Sequence, residues 1–126
     1  MTTTELPTEP GALVQSLADA WAAADLDRIM AHFTDDAVYE NVGMGELAGA
    51  DAIRAGIEGF LAMGSFHFET LRQVVDGDLV MNERVDTISM TDGNEVALRL
   101  MGVFVHRDGR IAEWRDYFDM TPFAGG

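Results

Sequence analysis

Three short fragments carry the polar side chains with which this chain could do chemistry: Tyr39-Glu40-Asn41, Arg84-Val85-Asp86 and Trp114-Arg115-Asp116. Side chains alternate between the two faces of an extended segment. Tyr39 and Asn41 therefore share one face, and Arg84 and Asp86 share another. Asp116 points to the side that its apolar neighbours mark as buried. Because buried polar groups are costly unless they bind one another, the sequence predicts that these five side chains converge.

Two aspartates beside one arginine make an acid–base pair. Neighbouring carboxylates resist ionising together and burial raises a carboxyl pKa, whereas Arg84 acts in the opposite direction. Such a trio titrates as a unit and can hold one proton at neutral pH. One aspartate is then a base and the other an acid, and the residues alone do not decide which. With Tyr39 and Asn41 to position a water molecule, the set suits hydrolysis of a strained neutral electrophile.

Composition limits the class of protein and its partners. The chain has 126 residues, 48% of them hydrophobic, and a net charge of −14 from 8 basic and 22 acidic residues. One folded domain is expected, and its acidity should repel nucleic acid and anionic membranes. No segment resembles a secretory signal, and no run reaches the ~20 apolar residues that a membrane span needs. Cysteine is absent, which fits a reducing cytoplasm.

The first half of the chain shows helical spacing. Residues 1–10 are predicted to form a flexible leader, and 11–126 a single domain. Apolar residues recur at helical intervals in three segments, which begin at Leu13, at Leu26 after a capping Asp25, and near Asp51. The second stripe includes Phe33, and the third helix ends around Gly64. The segment from Val38 to Val42 is expected to be extended.

The second half is predicted to be a β-meander. Asp-Gly pairs at Asp76, Asp92 and Asp108 recur every 16 residues, and Asp-Gly between apolar runs favours type I′ hairpin turns. Four antiparallel strands are expected near 66–75, 79–90, 96–106 and 110–120. Helices followed by a meander indicate an α+β domain with helices packed on one face of a curved sheet.

The hairpin turns also predict a register. If the second and third turns are two-residue loops, Arg84 lies opposite Met101, and Met101 opposite Asp116. Arg84 and Asp116 then share one row, on strands ~10 Å apart. A longer turn or a bulge would slide this register by one or two residues.

The same fragments carry a family resemblance. In this order, Tyr39-Glu40-Asn41, Glu83-Arg84-Val85-Asp86 and the segment from Trp114 to Asp119 resemble the limonene-1,2-epoxide hydrolase family. That family has the cone-shaped fold of nuclear transport factor 2 (NTF2), ketosteroid isomerase and the SnoaL-like polyketide cyclases. The resemblance therefore implies that the helices pack on a curved, mostly antiparallel sheet with a central pocket. The likeness extends from about Leu13 to Phe123.

The resemblance implies a one-step hydrolysis without a covalent intermediate or a cofactor. Asp116, Tyr39 and Asn41 would hold the attacking water, and Asp116 would take its proton. Asp86 would donate a proton to the epoxide oxygen, and Arg84 would bridge the two aspartates. No metal site is expected, because the three histidines lack the spacing of ligands.

The resemblance also implies a pocket for a terpene-sized or cyclic hydrophobic epoxide. Its predicted lining is Trp21, Phe60, Met63, Ile88, Leu98, Leu100, Phe118 and Phe123. Strict two-residue turns would instead place Met101 inside. One bulge would reconcile this register with the inward placement of Leu98 and Leu100. We follow the resemblance.

The sequence leaves two other functions open, an isomerase or cyclase and a non-catalytic binding domain, and it favours a homodimer. Relatives of this fold include isomerases and polyketide cyclases, which need a lone carboxylate base opposite oxyanion donors. The fold also serves non-catalytic binding domains, since a fold does not fix a function. A homodimer through the outer face of the sheet is expected, because Val103 and Val105 point away from the pocket.

Overall fold

A computed structural model describes residues 5–119, which form three helices and six strands. In chain order these are α1 (Pro10–Ala22), α2 (Leu26–Ala31), β1 (Phe33–Asn41), β2 (Gly45–Ala48), α3 (Ala50–Met63), β3 (Gly64–Asp76), β4 (Leu79–Met90), β5 (Glu95–Arg107) and β6 (Arg110–Phe118). The three helices and the four-stranded meander are as predicted. Phe123 lies outside the described residues.

All six strands form one mixed sheet in the order β2-β1-β6-β5-β4-β3. Strand β1 runs parallel to β6, and every other neighbouring pair is antiparallel. The predicted α+β class, with helices on one face of the sheet, is confirmed. Strand β2 and the pairing of β1 with β6 were not predicted. That pairing places Tyr39 and Asn41 beside Trp114 and Asp116.

The helix ends follow from local chemistry. The Asp25 carboxylate accepts a hydrogen bond from the Arg28 backbone N–H at 3.1 Å and caps α2, as predicted. The assignment of Phe33 to this helix was wrong, because α2 ends at Ala31 and Phe33 begins β1. The His32 carbonyl instead accepts from the backbone N–H of Ile111 at 2.7 Å, which joins the chain to β6. Between residues 5 and 119 no helix is long and apolar enough to cross a membrane.

Helix α1 begins with a capped turn. Pro10 is its first residue, and the Glu9 side chain accepts hydrogen bonds from the backbone N–H groups of Gly11 and Ala12 at 2.9 Å. Leu6 packs against the core. The division between a leader and the domain after residue 10 stays a prediction.

The hairpin turns differ from one another, which corrects the predicted register. Asp108 and Gly109 both have positive φ, 54° and 78°, as a two-residue type I′ turn requires. The β4–β5 hairpin is longer, since the Met90 N–H binds the Asn94 carbonyl at 2.7 Å and closes a loop that contains Gly93 at φ 95°.

The longer loop and a bulge each move the register by one residue. Arg84 therefore lies opposite Leu100 rather than Met101. A shift between Val105 and His106 puts Asp116 opposite Gly102. The prediction that Arg84 and Asp116 share one row was wrong, and the inward placement of Leu98 and Leu100 is confirmed.

The core lies between the helices and the inner face of the sheet. Its largest fully buried side chains include Trp21 of α1 and Trp114 of β6, whose rings meet edge to face at 6.0 Å. Trp114 is also stacked between Tyr39 at 4.2 Å and Phe104 at 5.4 Å. Stacked aromatic rings add to the free energy gained by burial. They fix the relative positions of β1, β5 and β6 beside the predicted site.

Candidate active site

The inner face of the sheet brings the five predicted side chains to one place. Tyr39, Asn41, Asp86 and Asp116 border a single cavity. Arg84 lies behind the two aspartates and is only 2% exposed. The convergence predicted from the alternation of side chains is therefore present. Arg84 and Asp116 make contact diagonally across Gly102, because they are not in the same row of paired residues.

Arg84 bridges the two aspartates through hydrogen bonds. Its Nε and Nη2 donate to the two carboxylate oxygens of Asp86 at 3.0 and 2.8 Å. The same Nη2 donates to Oδ2 of Asp116 at 2.9 Å. A bidentate contact of a guanidinium with a carboxylate is among the stronger hydrogen-bonded arrangements in proteins. One nitrogen atom thus lies between the two acids and holds both in fixed orientations.

Trp114 holds the second oxygen of Asp116. The indole Nε1 donates to Oδ1 of Asp116 at 2.7 Å. Tyr39 stacks on the same indole and accepts a 3.4 Å hydrogen bond from Nδ2 of Asn41 through its hydroxyl oxygen. The Asp116 carboxylate, the phenol and the carboxamide therefore belong to one rigid group at the wall of the cavity.

Burial and the neighbouring charges give the three ionisable groups different protonation states. Burial raises the pKa of Asp86 to about 6, and the charge of Asp116 adds to this, although Arg84 lowers it. Burial disfavours the charged form of Arg84, but Asp116 and Asp86 together raise its pKa, so the guanidinium stays charged. Burial also raises the pKa of Tyr39, so that its phenol stays protonated. Asp86 is the group placed to carry a proton near neutral pH.

Gly102 leaves the space in which the polar side chains meet. A Cβ atom at this position would overlap Nη1 of Arg84 and lie 2.9 Å from Oδ1 of Asn82 and 3.0 Å from Oδ1 of Asp116. Any side chain on β5 at this point would separate Arg84 from Asp116. The diagonal bridge therefore depends on a missing side chain.

The cavity in front of the aspartates has a volume of about 300 Å³. Seven of the eight residues predicted to line it do border it: Trp21, Phe60, Met63, Ile88, Leu98, Leu100 and Phe118. The eighth, Phe123, lies outside the described residues. Apart from the four polar side chains at one end, the walls are apolar and aromatic. Such a cavity can hold a small hydrophobic molecule with one reactive group directed at the aspartates.

Sequence reasoning missed several residues of the site. The cavity is also bordered by Met44, Phe66, Phe68 and Met90, and the buried Asn82 donates to and accepts from groups behind it. Asn82 and Met90 could have been found, because they alternate in phase with the predicted Arg84, Asp86 and Ile88 on β4. Phe66 and Phe68 alternate with each other on β3, a strand for which no site residue was predicted. Met44 could not have been found, since it lies in the turn between β1 and a strand that was not predicted.

The polar residues next to the site in the sequence lie on the outer face of the sheet or are exposed. Arg115 pairs with Glu40 at 3.1 Å on the side of the sheet away from the cavity. Asp119 is exposed. Side chains alternate along β1 and β6, so Glu40 and Arg115 point away from the face that carries Tyr39 and Asp116.

The fold and the site together define a small α+β domain in which two aspartates bridged by an arginine border an apolar cavity. The family model for the SnoaL-like domain matches residues 14–114, and this chain belongs to that family. Epoxide hydrolase EphG of Mycobacterium tuberculosis is 34% identical over 113 residues, which are 90% of this chain and 75% of EphG. This relative confirms the predicted resemblance to epoxide hydrolases.

Solved structures agree with this assignment. An LEH-like (limonene-epoxide-hydrolase-like) epoxide hydrolase from Mycobacterium tuberculosis matches with a TM-score of 0.78 and 34% identity, over 85% of this chain and 80% of that chain. A putative polyketide cyclase from Xanthomonas campestris matches with a TM-score of 0.80 and 18% identity, over 90% and 93% of the two chains. The second likeness shows the NTF2-like fold alone.

The space at Gly102 gives a first prediction. Gly102→Ala should lower the free energy of unfolding by about 1–3 kcal/mol, because the added methyl group must displace the Arg84 guanidinium from a filled core. Urea denaturation measures this. The control is Gly59→Ala on the exposed side of α3, where a Cβ meets nothing within 4 Å, so stability should stay equal or rise. Equal stability of Gly102→Ala and wild type would contradict the proposed overlap.

The proton on Asp86 gives a second prediction. Its pKa is raised from 3.8 to about 6 on folding, so the folded protein binds more protons than the unfolded chain between these values. This contribution to stability is complete below the unfolded pKa and is lost as the pH rises through about 6. Relative to Asp86→Asn, wild type should therefore lose stability, on the order of 3 kcal/mol in all, between pH 4 and pH 7. A difference that stays constant across this range would show that Asp86 is ionised throughout.

Proposed function

We propose that this protein is an epoxide hydrolase that adds water to a hydrophobic epoxide in one step and gives a vicinal diol. The observation that carries the proposal is the pair of aspartates bridged by Arg84 at the polar end of an apolar cavity. The relative EphG bears the name of an epoxide hydrolase. Hydrolysis of an epoxide in one step needs a base for the attacking water and an acid for the epoxide oxygen, and two neighbouring aspartates can supply both.

Asp116 is the proposed base. Its carboxylate borders the cavity beside Tyr39 and Asn41, whose hydroxyl and carboxamide can orient a water molecule. As the water oxygen forms its bond to one epoxide carbon, Asp116 takes a proton from that water. The attack of the water and the transfer of its proton to Asp116 then occur together, next to Tyr39 and Asn41.

Asp86 is the proposed acid. Its pKa, which burial raises to about 6, leaves far more of it protonated near neutral pH than an exposed aspartate would have. When the carbon–oxygen bond of the epoxide breaks, the electron pair stays on the oxygen and Asp86 donates its proton there. The diol leaves with one oxygen from the epoxide and one from water. Asp116 is then protonated and Asp86 ionised, and a proton exchange through water restores the starting state.

The cavity favours an uncharged, apolar substrate of terpene size or with a fused or cyclic skeleton. Aromatic and aliphatic side chains form most of its wall, and its volume of about 300 Å³ accommodates such a molecule. A net charge of −14 disfavours anionic compounds. Limonene-1,2-epoxide and its analogues are therefore the first compounds to assay.

The cyclase or isomerase alternative fits this site less well. Those reactions use a single carboxylate base opposite donors to an oxyanion. Here Arg84 binds both aspartates, so the only two carboxylates bordering the cavity, among residues 5–119, are coupled to each other. A non-catalytic binding domain would not need to bury such a trio. A thermal-shift panel of epoxides, steroid enones and diols distinguishes the three functions.

The two aspartates give the third prediction. Asp116→Asn and Asp86→Asn should each lower kcat for an apolar epoxide by about 10²–10⁴-fold, toward the upper end because the two proton transfers are concerted. Diol formation measured by gas chromatography reports the rate. Asp119→Asn, on the exposed outer face, is the matched control and should retain activity.

Oxygen labelling tests the one-step mechanism in the same assay. In a single turnover in H₂¹⁸O, the label should appear in the diol, because water itself attacks the epoxide. Label first appearing in Asp86 or Asp116 would indicate a covalent ester intermediate. Normal turnover by both Asn variants would exclude the roles proposed for the two aspartates.

A homodimer through the outer face of the sheet is the fourth prediction. Met101 and Tyr117 on that face are 42% and 48% exposed, next to Val103, and a second copy of the chain would cover them. Light scattering at micromolar concentration should give twice the monomer mass, and Met101→Glu should shift the protein toward the monomer. A monomeric wild type would contradict the prediction.

A further inference from the structure

Asn82 is a buried polar residue that the reaction scheme does not use. It is 1% exposed and shares the inner face of β4 with Arg84 and Asp86. The inward positions at either end of this polar run are the apolar Val80 and Ile88. Burial of an unpaired carboxamide costs several kcal/mol on an apolar scale, so an asparagine here needs partners.

The partners of Asn82 are Arg84 on its own strand and Gln73 on β3. Nη1 of Arg84 donates to Oδ1 of Asn82 at 3.1 Å, and Nδ2 of Asn82 donates to Oε1 of Gln73 at 3.2 Å. A guanidinium has donors only, so the oxygen of the carboxamide must face it. The orientation of the Asn82 side chain is therefore set by the chemistry of its neighbours.

Asn82 completes the set of acceptors around Arg84. The Nε and Nη2 side of the guanidinium binds Asp86, Nη2 also binds Asp116, and Nη1 binds Asn82. Three contacts in different directions prevent a planar group from turning. Without the third, Nη1 could leave the space above Gly102 that it now fills, and carry Nη2 away from its place between the two aspartates.

Asn82 also accepts this hydrogen bond without bringing a charge. A third carboxylate would share the single positive charge of Arg84 with the two aspartates and would raise their tendency to hold protons. A neutral acceptor leaves that charge to Asp86 and Asp116. Asn82 does not border the cavity, so it has no contact with a bound substrate.

We propose that Asn82 is a positioning residue that, acting through Arg84, sets how Asp86 and Asp116 share their proton. This inference rests on the proposed function for the roles of the two aspartates. Its physical basis, the orientation and charge of the Arg84 contacts, does not depend on turnover and can be measured separately.

The test compares Asn82→Asp with wild type. The replacement has nearly the same shape and adds one negative charge beside Nη1. The alkaline limb of the kcat profile, which reports the loss of the proton from the acid, should move upward by about one pH unit or more. KM should change little, because residue 82 is outside the cavity. Asn82→Leu, which removes the acceptor, should lower kcat by about 10–100-fold with a similarly small effect on KM.

Ser89→Asp is the matched control. It adds the same charge to the same strand at an exposed position, and it should leave the pH profile unchanged. Equal shifts in Asn82→Asp and Ser89→Asp would overturn the proposal, because the effect would then come from overall charge.

Carboxyl carbon NMR of the aspartates gives a readout without substrate. The Asp86 titration should move to higher pH in Asn82→Asp and stay in place in Ser89→Asp. A lower melting temperature with an unchanged Asp86 titration would overturn the proposal and assign Asn82 to folding alone. If wild type hydrolyses no epoxide, the proposed function fails, and the NMR titration still decides the role of Asn82.

Discussion

The buried positive charge of Arg84 is the constraint on which the rest of the site depends. A guanidinium removed from water needs acceptors for its donors and a compensating charge, or the domain is strongly destabilised. The protein supplies two carboxylates and one neutral oxygen, and it adds aromatic faces, with the ring of Phe68 centred 5.0 Å from the guanidinium carbon. One cation next to two acids leaves one negative charge in excess. A proton on Asp86, whose pKa burial raises to about 6, removes that excess below this pH.

This arrangement restricts the backbone around it. The polar atoms of three strands meet only because β5 has a glycine where they cross, and because the loop after β4 is one residue longer than a type I′ turn. A shift of one residue would exchange the inner and outer faces of β5 and place Met101 against Arg84. The parallel contact of β1 with β6 then supplies Tyr39 and Asn41 at the same level. The strand register of this sheet therefore determines which side chains meet at Arg84.

The sequence predicts the site better than it predicts the path of the chain. Period-two alternation is local, so it correctly grouped Arg84 with Asp86 and Tyr39 with Asn41. The pairing of β1 with β6 joins segments about 75 residues apart, and no local pattern encodes a contact of that range. The register of each hairpin depends on whether the loop that contains the Asp-Gly pair has two residues or three. The two loop lengths differ little in energy. Strand β2 is only four residues long, too short for a periodic signal.

A pair of acids that share one proton also constrains the order of the reaction. In the proposed reaction, each turnover consumes the proton of Asp86 and delivers a proton to Asp116, so the two aspartates hold one proton in total before and after ring opening. If the base acted first, both aspartates would be protonated beside a charged Arg84 while the epoxide oxygen still lacked its proton. If the acid acted first, two carboxylates would face each other in an apolar wall. Both intermediates carry an unbalanced buried charge, and concerted transfer avoids both. The same electrostatic balance that lets the domain bury Arg84 therefore favours a one-step mechanism.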